Sequence, residues 1–209
     1  MPQVIRKYCH VTHRSATVNG KAFPVAEVDG EGKFLTALYR SLKIDYPKFF
    51  KMDSLSKLGF LASELILRDE EPRFAPREDV AILCFNRSAS LATDALYQVT
   101  IRRGDGCYPS PSLFVYTLPN IVTGEIAIRN KFFGETSFYV CKEWDVQQAL
   151  RMAGQILCDG RTRAVLAAWV ECFEEACEAF MMLVDTENQP GIPPEEIAFS
   201  TSKKTTWKN

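Results

Sequence analysis

Histidine is nearly missing from this chain. Its 209 residues contain only His10 and His13, both close to the N-terminus. A metal role for that pair needs further ligands at a workable spacing, and none follows. Both therefore read as ordinary strand or surface residues, and no metal or other cofactor is expected. An excess of either charge is missing too: 25 Lys and Arg face 26 Asp and Glu, for a net charge of −1 and a pI near 6.2. A nucleic-acid or anionic-membrane partner is not expected on that balance. No apolar run approaches the ~18 residues of a membrane span. The opening Met1-Pro2-Gln3-Val4-Ile5-Arg6 has no apolar core of the signal-peptide kind, so the expected location is cytoplasmic. Repeats and low-complexity tracts do not occur. Seven cysteines stand at positions 9, 84, 107, 141, 158, 172 and 177. Their odd number, the lack of any CxxC and the place of several in apolar runs predict reduced, buried thiols.

What is present supports one domain with a full core. Apolar residues make up 46% of the chain and include 14 Phe and 3 Trp. The length suits a single domain and would crowd two. Val4–Val28, with Asn19-Gly20 inside it, reads as a hairpin. A loop at Asp29-Gly30-Glu31-Gly32 and a short helix over Lys33–Leu42 follow. In Ser54–Leu67, Leu55, Leu58, Leu61, Ala62, Leu65 and Ile66 keep helical spacing, with Asp53 or Ser54 as the cap. Arg68–Asp79 is a charged connecting loop. Val80–Phe85 is apolar without interruption, which predicts a strand buried on both faces. Further helices are expected over Thr93–Arg103, Asn120–Phe133 and Val146–Leu157, and further strands over Ser112–Thr117, Thr136–Cys141, Ala164–Val170 and Ala179–Val184. The last two strands should pair antiparallel. Gly124 inside a helix costs about 1 kcal/mol against Ala, which suggests close packing there. Residues 1–185 make the domain and 186–209 a polar tail.

Buried strands alternating with helices give an α/β fold, a layered mixed sheet with helices on its faces. Ser88, Ser90 and Thr93 follow a buried strand, where such folds place ligands; helix capping is their other reading. Gly104-Asp105-Gly106 is a turn without a phosphate-loop pattern around it. Glu70-Glu71 and Glu174, Glu175 and Glu178 read as solvated runs. Cys172 and Cys177 read as core thiols.

Several strings, in order, resemble the β-ketoacyl synthase family. They are Phe50-Lys51-Met52-Asp53, Leu118-Pro119-Asn120 with Gly124, Phe133-Gly134-Glu135-Thr136-Ser137, the run Asp159–Ala168, and the strand Ala179–Val184. The resemblance spans about Asp45 to Asp185 and implies a thiolase-like fold, as a single N-terminal-type half. It breaks where that family carries its chemistry. Counting nine residues on from Gly134 and 17 back from Gly160 lands both times on Glu143, where the family has its nucleophilic cysteine. Trp144 and Asp145 then replace the small residues that usually follow. The family's catalytic histidines come from its C-terminal half, and this chain has no counterpart to them.

The resemblance thus implies a condensing-enzyme scaffold with a degenerate nucleophile position. Glu143 is left as a helix N-terminal charge or cap, or with a residual part in decarboxylation. Cys141, two residues early, is a displaced nucleophile or a buried thiol. The expected function is an accessory subunit in fatty acid, polyketide or aryl-polyene-type acyl-chain synthesis. Its expected partners are a second copy, a full-length ketosynthase or chain-length-factor-like subunit, and an acyl carrier protein. The strand Thr136, Ser137, Phe138, Tyr139, Val140, Cys141 is the candidate interface. Two alternatives stand beside it: a minimal acyltransferase or decarboxylase acting through Glu143 or Cys141, and an acyl-binding module with a pocket at Phe85, Phe138 and Trp144.

Overall fold

Seven strands make one mixed sheet in the computed structural model, which describes residues 3–26, 33–102, 108–173, 176–186, 191–194 and 197. The expected loop at 29–32, the turn at 104–106 and Glu174 and Glu175 lie outside the described residues. The apolar run at Val80 becomes β4 (Val80–Asn86), with every residue buried. It pairs parallel with β5 (Thr136–Val140) on one side and with β6 (Ala164–Phe173) on the other. Antiparallel pairing continues from β6 to β7 (Ala176–Asp185), as expected, and from β7 to β1 (Val4–Thr12). β2 (Ala16–Val18) and β3 (Lys21–Ala22) finish that side of the sheet, giving the order β3-β2-β1-β7-β6-β4-β5. Asn19 and Gly20, with φ of 49° and 76°, make the turn between β2 and β3. β5 therefore forms the opposite edge.

Alternation along the central strands builds two separate cores. Val80, Ile82 and Cys84 of β4, with Leu166, Ala168, Met181 and Leu183, face a layer of helices: α1 (Lys33–Ser41), a 3-10 turn at Pro47–Lys51, α2 (Ser54–Ile66) and α5 (Ile121–Asn130). Ala81, Leu83 and Phe85, with Val165, Ala167, Trp169, Phe180 and Met182, face α6 (Val146–Leu157). α2 is buried nearly all round, as a helix held between the sheet and other helices must be. Asp53 caps it, its carboxylate accepting from the Ser56 N–H at 2.8 Å. Its buried charge, Glu64, is 6% exposed and is held by Arg73 at 2.9 Å and Arg129 at 3.0 Å.

Several expectations need correction. Ser112–Thr117 is not a strand: Pro111–Val115 is a short helix, α4, with Ser110 as N-cap and Pro111 in its first turn, a helix-start signal stronger than the β-branched content. Gly124 is not a close approach, because a Cβ there meets nothing within 4 Å. The tight glycine is Gly59, where a Cβ falls 2.4 Å from Val122 Cγ2 between α2 and α5. Glu70 is not a solvated charge but pairs with Arg6 and with Lys7, and Glu178 is buried and lies 3.7 Å from His10 Nε2. The domain does not stop at residue 185: Ile192 bridges to Ile5, and Ile192 and Ile197 pack on the α6-side core. Among the described residues no helix is long and apolar enough to cross a membrane.

Gly59→Ala and Gly124→Ala should move stability in opposite directions. The first overpacks the α2–α5 contact and should cost about 1–3 kcal/mol; the second should stabilise by about 0.5–1 kcal/mol. Urea unfolding of the two variants beside the parent checks the contrast.

Candidate functional site

The parallel strands β4 and β5 end together, and ligand sites of open α/β sheets lie beyond such ends. The turn after β4 is locked from inside. The Asn86 side chain accepts from the Ala89 N–H at 3.0 Å and donates to the Ala89 carbonyl at 2.8 Å, holding Ala89 at a left-handed φ of 49°. From β6, buried Glu171 accepts from the Arg87 N–H at 2.8 Å, the Ser88 N–H at 3.2 Å and the Ser88 hydroxyl. Ser90 donates to the Thr117 carbonyl at 2.6 Å, and Thr93 donates to Asp53 at 2.8 Å. All three hydroxyls singled out in the sequence are thus buried and already partnered. Glu171 was missed because carboxylates near a turn read as solvated.

After β5 the chain turns into α6. Cys141 continues the ladder, its N–H donating to the Asn86 carbonyl at 2.8 Å, and its Sγ lies 3.4 Å from the Glu143 carbonyl. Asp145 is the N-cap of α6, accepting from the Gln147 and Gln148 N–H groups at 2.9 and 3.1 Å. Glu143 is therefore not the cap; it is exposed, two residues ahead of it. The consequence is chemical. An oxyanion site at a helix start needs free N–H donors. Here two of the first donors are taken by the chain's own carboxylate.

Burial pushes the Cys141 thiol up, and the charge of Glu171 pushes the same way, so the protonated form prevails near neutrality. His10 lies on β1, with β7, β6 and β4 between it and β5. Three intervening strands place it roughly 19 Å away at ordinary strand spacing. Among the described residues no group of three or more His, Cys, Asp and Glu is placed to hold a metal.

The three aromatic residues expected to line one pocket are split. Phe85 and Trp144 meet on the α6 face at 5.5 Å between centroids, with Tyr139 stacked on Phe85 at 5.2 Å and Phe180 5.8 Å from Trp144. Phe138 packs on the opposite core, because neighbouring residues of a strand point to opposite faces. The rings on the α6 face fill their own space. A cavity of roughly 1350 Å³ lies at the other end of the sheet, by Val80, Ala164 and Asp185, and no motif in the sequence marks it.

What does remain open is the edge and its surroundings. Among the described residues β5 pairs with β4 alone. Ile82 donates to the Glu135 carbonyl and Cys141 to Asn86, so residues 135, 137, 139 and 141 face β4. By alternation the N–H and C=O groups of Thr136, Phe138 and Val140 point away from the sheet. Val140 is 59% exposed. Beside this lies unusual apolar exposure. Of α3 (Leu91–Arg102) only Thr93 is buried, while Leu91, Leu96, Val99 and Ile101 are exposed, as are Phe114 and Val115 of α4. Ile128 of α5 and Phe133 before β5 are 63% and 68% exposed.

No protein-family model matches this chain, and no curated protein matches it in sequence. Solved structures match it in fold. The ishigamide ketosynthase/chain length factor superposes with a TM-score of 0.65 at 16% identity, over 93% of this chain and 64% of that one. A ketosynthase in complex with its chain length factor from Xenorhabdus doucetiae gives 0.61 at 14% identity, over 90% and 80%. A β-ketoacyl synthase from Burkholderia phymatum gives 0.58 at 11% identity, over 88% and 59%. The fold is thus thiolase-like, of the ketosynthase kind, in a single half-size domain. The chain spans about two thirds or less of the length of the first and third of these structures.

Two substitutions separate the cap from its neighbour. Asp145→Ala should cost about 1 kcal/mol in urea unfolding, while Glu143→Ala should stay within about 0.5 kcal/mol of the parent. Glu171→Ala, which leaves three donors without an acceptor, should cost about 2–4 kcal/mol by the same measurement.

Proposed function

We propose that this protein is a ketosynthase-like accessory subunit that does not itself condense acyl chains, and that works by docking its β5 edge on a partner of related fold. The partner class is a full-length ketosynthase or chain-length-factor-like subunit, with a second copy of this chain as the other arrangement. The process is acyl-chain building of the fatty acid, polyketide or aryl-polyene type, with an acyl carrier protein as a further partner.

The observation that carries this reading is the state of the β5 edge. An edge strand with outward N–H and C=O groups at Thr136, Phe138 and Val140 templates pairing with another strand. Proteins that stay alone block such edges with lysine, proline or a covering element. β5 has neither lysine nor proline. The apolar residues on α3, α4 and α5 extend the surface that a partner would cover. Two of the structures that share the fold pair a ketosynthase with a chain length factor, and another holds a ketosynthase with its acyl-carrier protein. Loss of condensation is supported by the Asp145-plugged helix end, the protonated Cys141 and the distance of His10.

Affinity purification of the tagged protein from its native host, with mass spectrometry of what accompanies it, tests the reading. A ketosynthase-like protein or a defined dimer should be recovered, and Val140→Lys should weaken that association at least tenfold by placing a charge on the edge, without changing the unfolding midpoint. A monomer by light scattering at high concentration, with neither partner recovered, overturns the proposal. In a separate assay, incubation with acyl and malonyl thioesters should leave Cys141 unmodified and release no CO₂; a Cys141 adduct would overturn the loss of chemistry alone.

A further inference from the structure

Two thiols face each other where β6 turns into β7. Cys172 and Cys177 are direct partners in the antiparallel ladder, and their sulfurs lie 3.1 Å apart. Both are free and only partly buried, unlike Cys9 and Cys84, which are fully enclosed. Facing cysteines on antiparallel strands need little movement to link, because Cβ atoms of directly opposed residues stand about 4.5–5.5 Å apart and a disulfide spans about 3.5–4.5 Å. We infer that Cys172 and Cys177 form a redox-active dithiol, a site of reversible modification that a peroxide converts to a cross-strand disulfide.

The two sulfurs are not equivalent. Either sulfur can donate across this contact; with Cys172 as the donor, the Cys177 thiol is lowered from its ordinary value, against burial and the charges of Glu178 and Glu171. The same hydrogen bond raises Cys172, helped by burial and by the charges of Cys177, Asp53 and Glu171. With that donor, Cys177 attacks as the thiolate and Cys172 resolves. The Cys177 sulfur attacks one peroxide oxygen and the O–O bond breaks. This leaves a sulfenic acid on Cys177 and an alcohol, or water when the oxidant is hydrogen peroxide. The Cys172 sulfur then attacks the Cys177 sulfur, the S–O bond breaks, and hydroxide leaves with the Cys172 proton as water. Two thiols and one peroxide give one disulfide, one water and one alcohol or second water, the sulfurs being oxidised and the peroxide reduced. A dithiol reductant reverses the modification.

This site is independent of the β5 edge and of any partner. The test uses the whole protein in native buffer, reduced and then treated with hydrogen peroxide, with iodoacetamide as quench. A glutamate-specific protease cuts between the two cysteines at Glu174 and Glu175. The expected result is a loss of two hydrogens per chain and one linked peptide pair containing Cys172 and Cys177, which separates on reduction. Both cysteines remaining fully alkylated, or linkage to Cys107, Cys141 or another chain instead, overturns the inference. The order of attack is read on two variants. Cys172→Ser should trap a dimedone-reactive sulfenic acid on Cys177, while Cys177→Ser should leave Cys172 roughly tenfold slower to react. Equal reactivity of the two sulfurs would overturn the assigned roles.

Discussion

The structure depends on one constraint: β4, β6 and β7 are apolar on both faces, so neither face of the sheet can meet water. Each buried side chain of this size contributes about 1.5–3 kcal/mol when removed from solvent, and two layers are needed to collect it. The layers are unequal. One face takes α1, α2, α5 and the 3-10 turn, while the other rests mainly on α6, with Trp144, Ile192 and Ile197 filling beside it. A helix pressed between a sheet and two other helices has almost no free surface. That is why the one charge α2 buries, Glu64 in its last turn, has two arginines recruited to it. Removing Glu64 would leave two part-buried arginines without their shared carboxylate, which costs far more than a surface pair is worth.

The same packing shapes the turn after β5. The β5–α6 turn brings a cysteine, a glutamate and a helix start together, three ingredients of acyl-transfer sites. Asp145 satisfies the helix start, Trp144 is drawn down onto Phe85 and Phe180, and Glu143 is left in solvent. Across the sheet end, Glu171 draws the 86–90 turn inward with three hydrogen bonds, so the hydroxyls of that turn point into the protein and not into a cleft. Polar groups at this end serve folding. Among the described residues the fold leaves β5 with an unpaired edge and the apolar side chains of α3 and α4 in solvent.

Sequence alone carried the existence and order of the main elements. Val80–Phe85, Ala164–Val170 and Ala179–Val184 are unbroken apolar runs with no helical alternative of sufficient length, and all three are strands. The 3.6-residue spacing of Ser54–Leu67 and the Asp53 cap reappear in α2, and the antiparallel last pair follows from so short a connection. Local signals failed where a competing local signal was stronger or where the partner was distant in sequence. Ser110-Pro111 starts a helix that the β-branched run hid, and the crowding that needs glycine is at Gly59, decided by Val122 across a helix contact.

The sequence also determined that position 143 holds no thiol and that the histidines lie far from it along the chain, because identity and spacing are one-dimensional facts. Which face each residue of a doubly buried strand meets was decided only in three dimensions. A run in which every position is apolar has no polar residue to report its phase. Phe85 lies in such a run, and only the β4–β5 register puts it and Phe138 on opposite cores. The opposition of Cys172 and Cys177 is likewise read from the β6–β7 register. The edge position of β5 is likewise tertiary, since strand order depends on which strands win the centre, and that contest is settled by burial summed over the whole sheet.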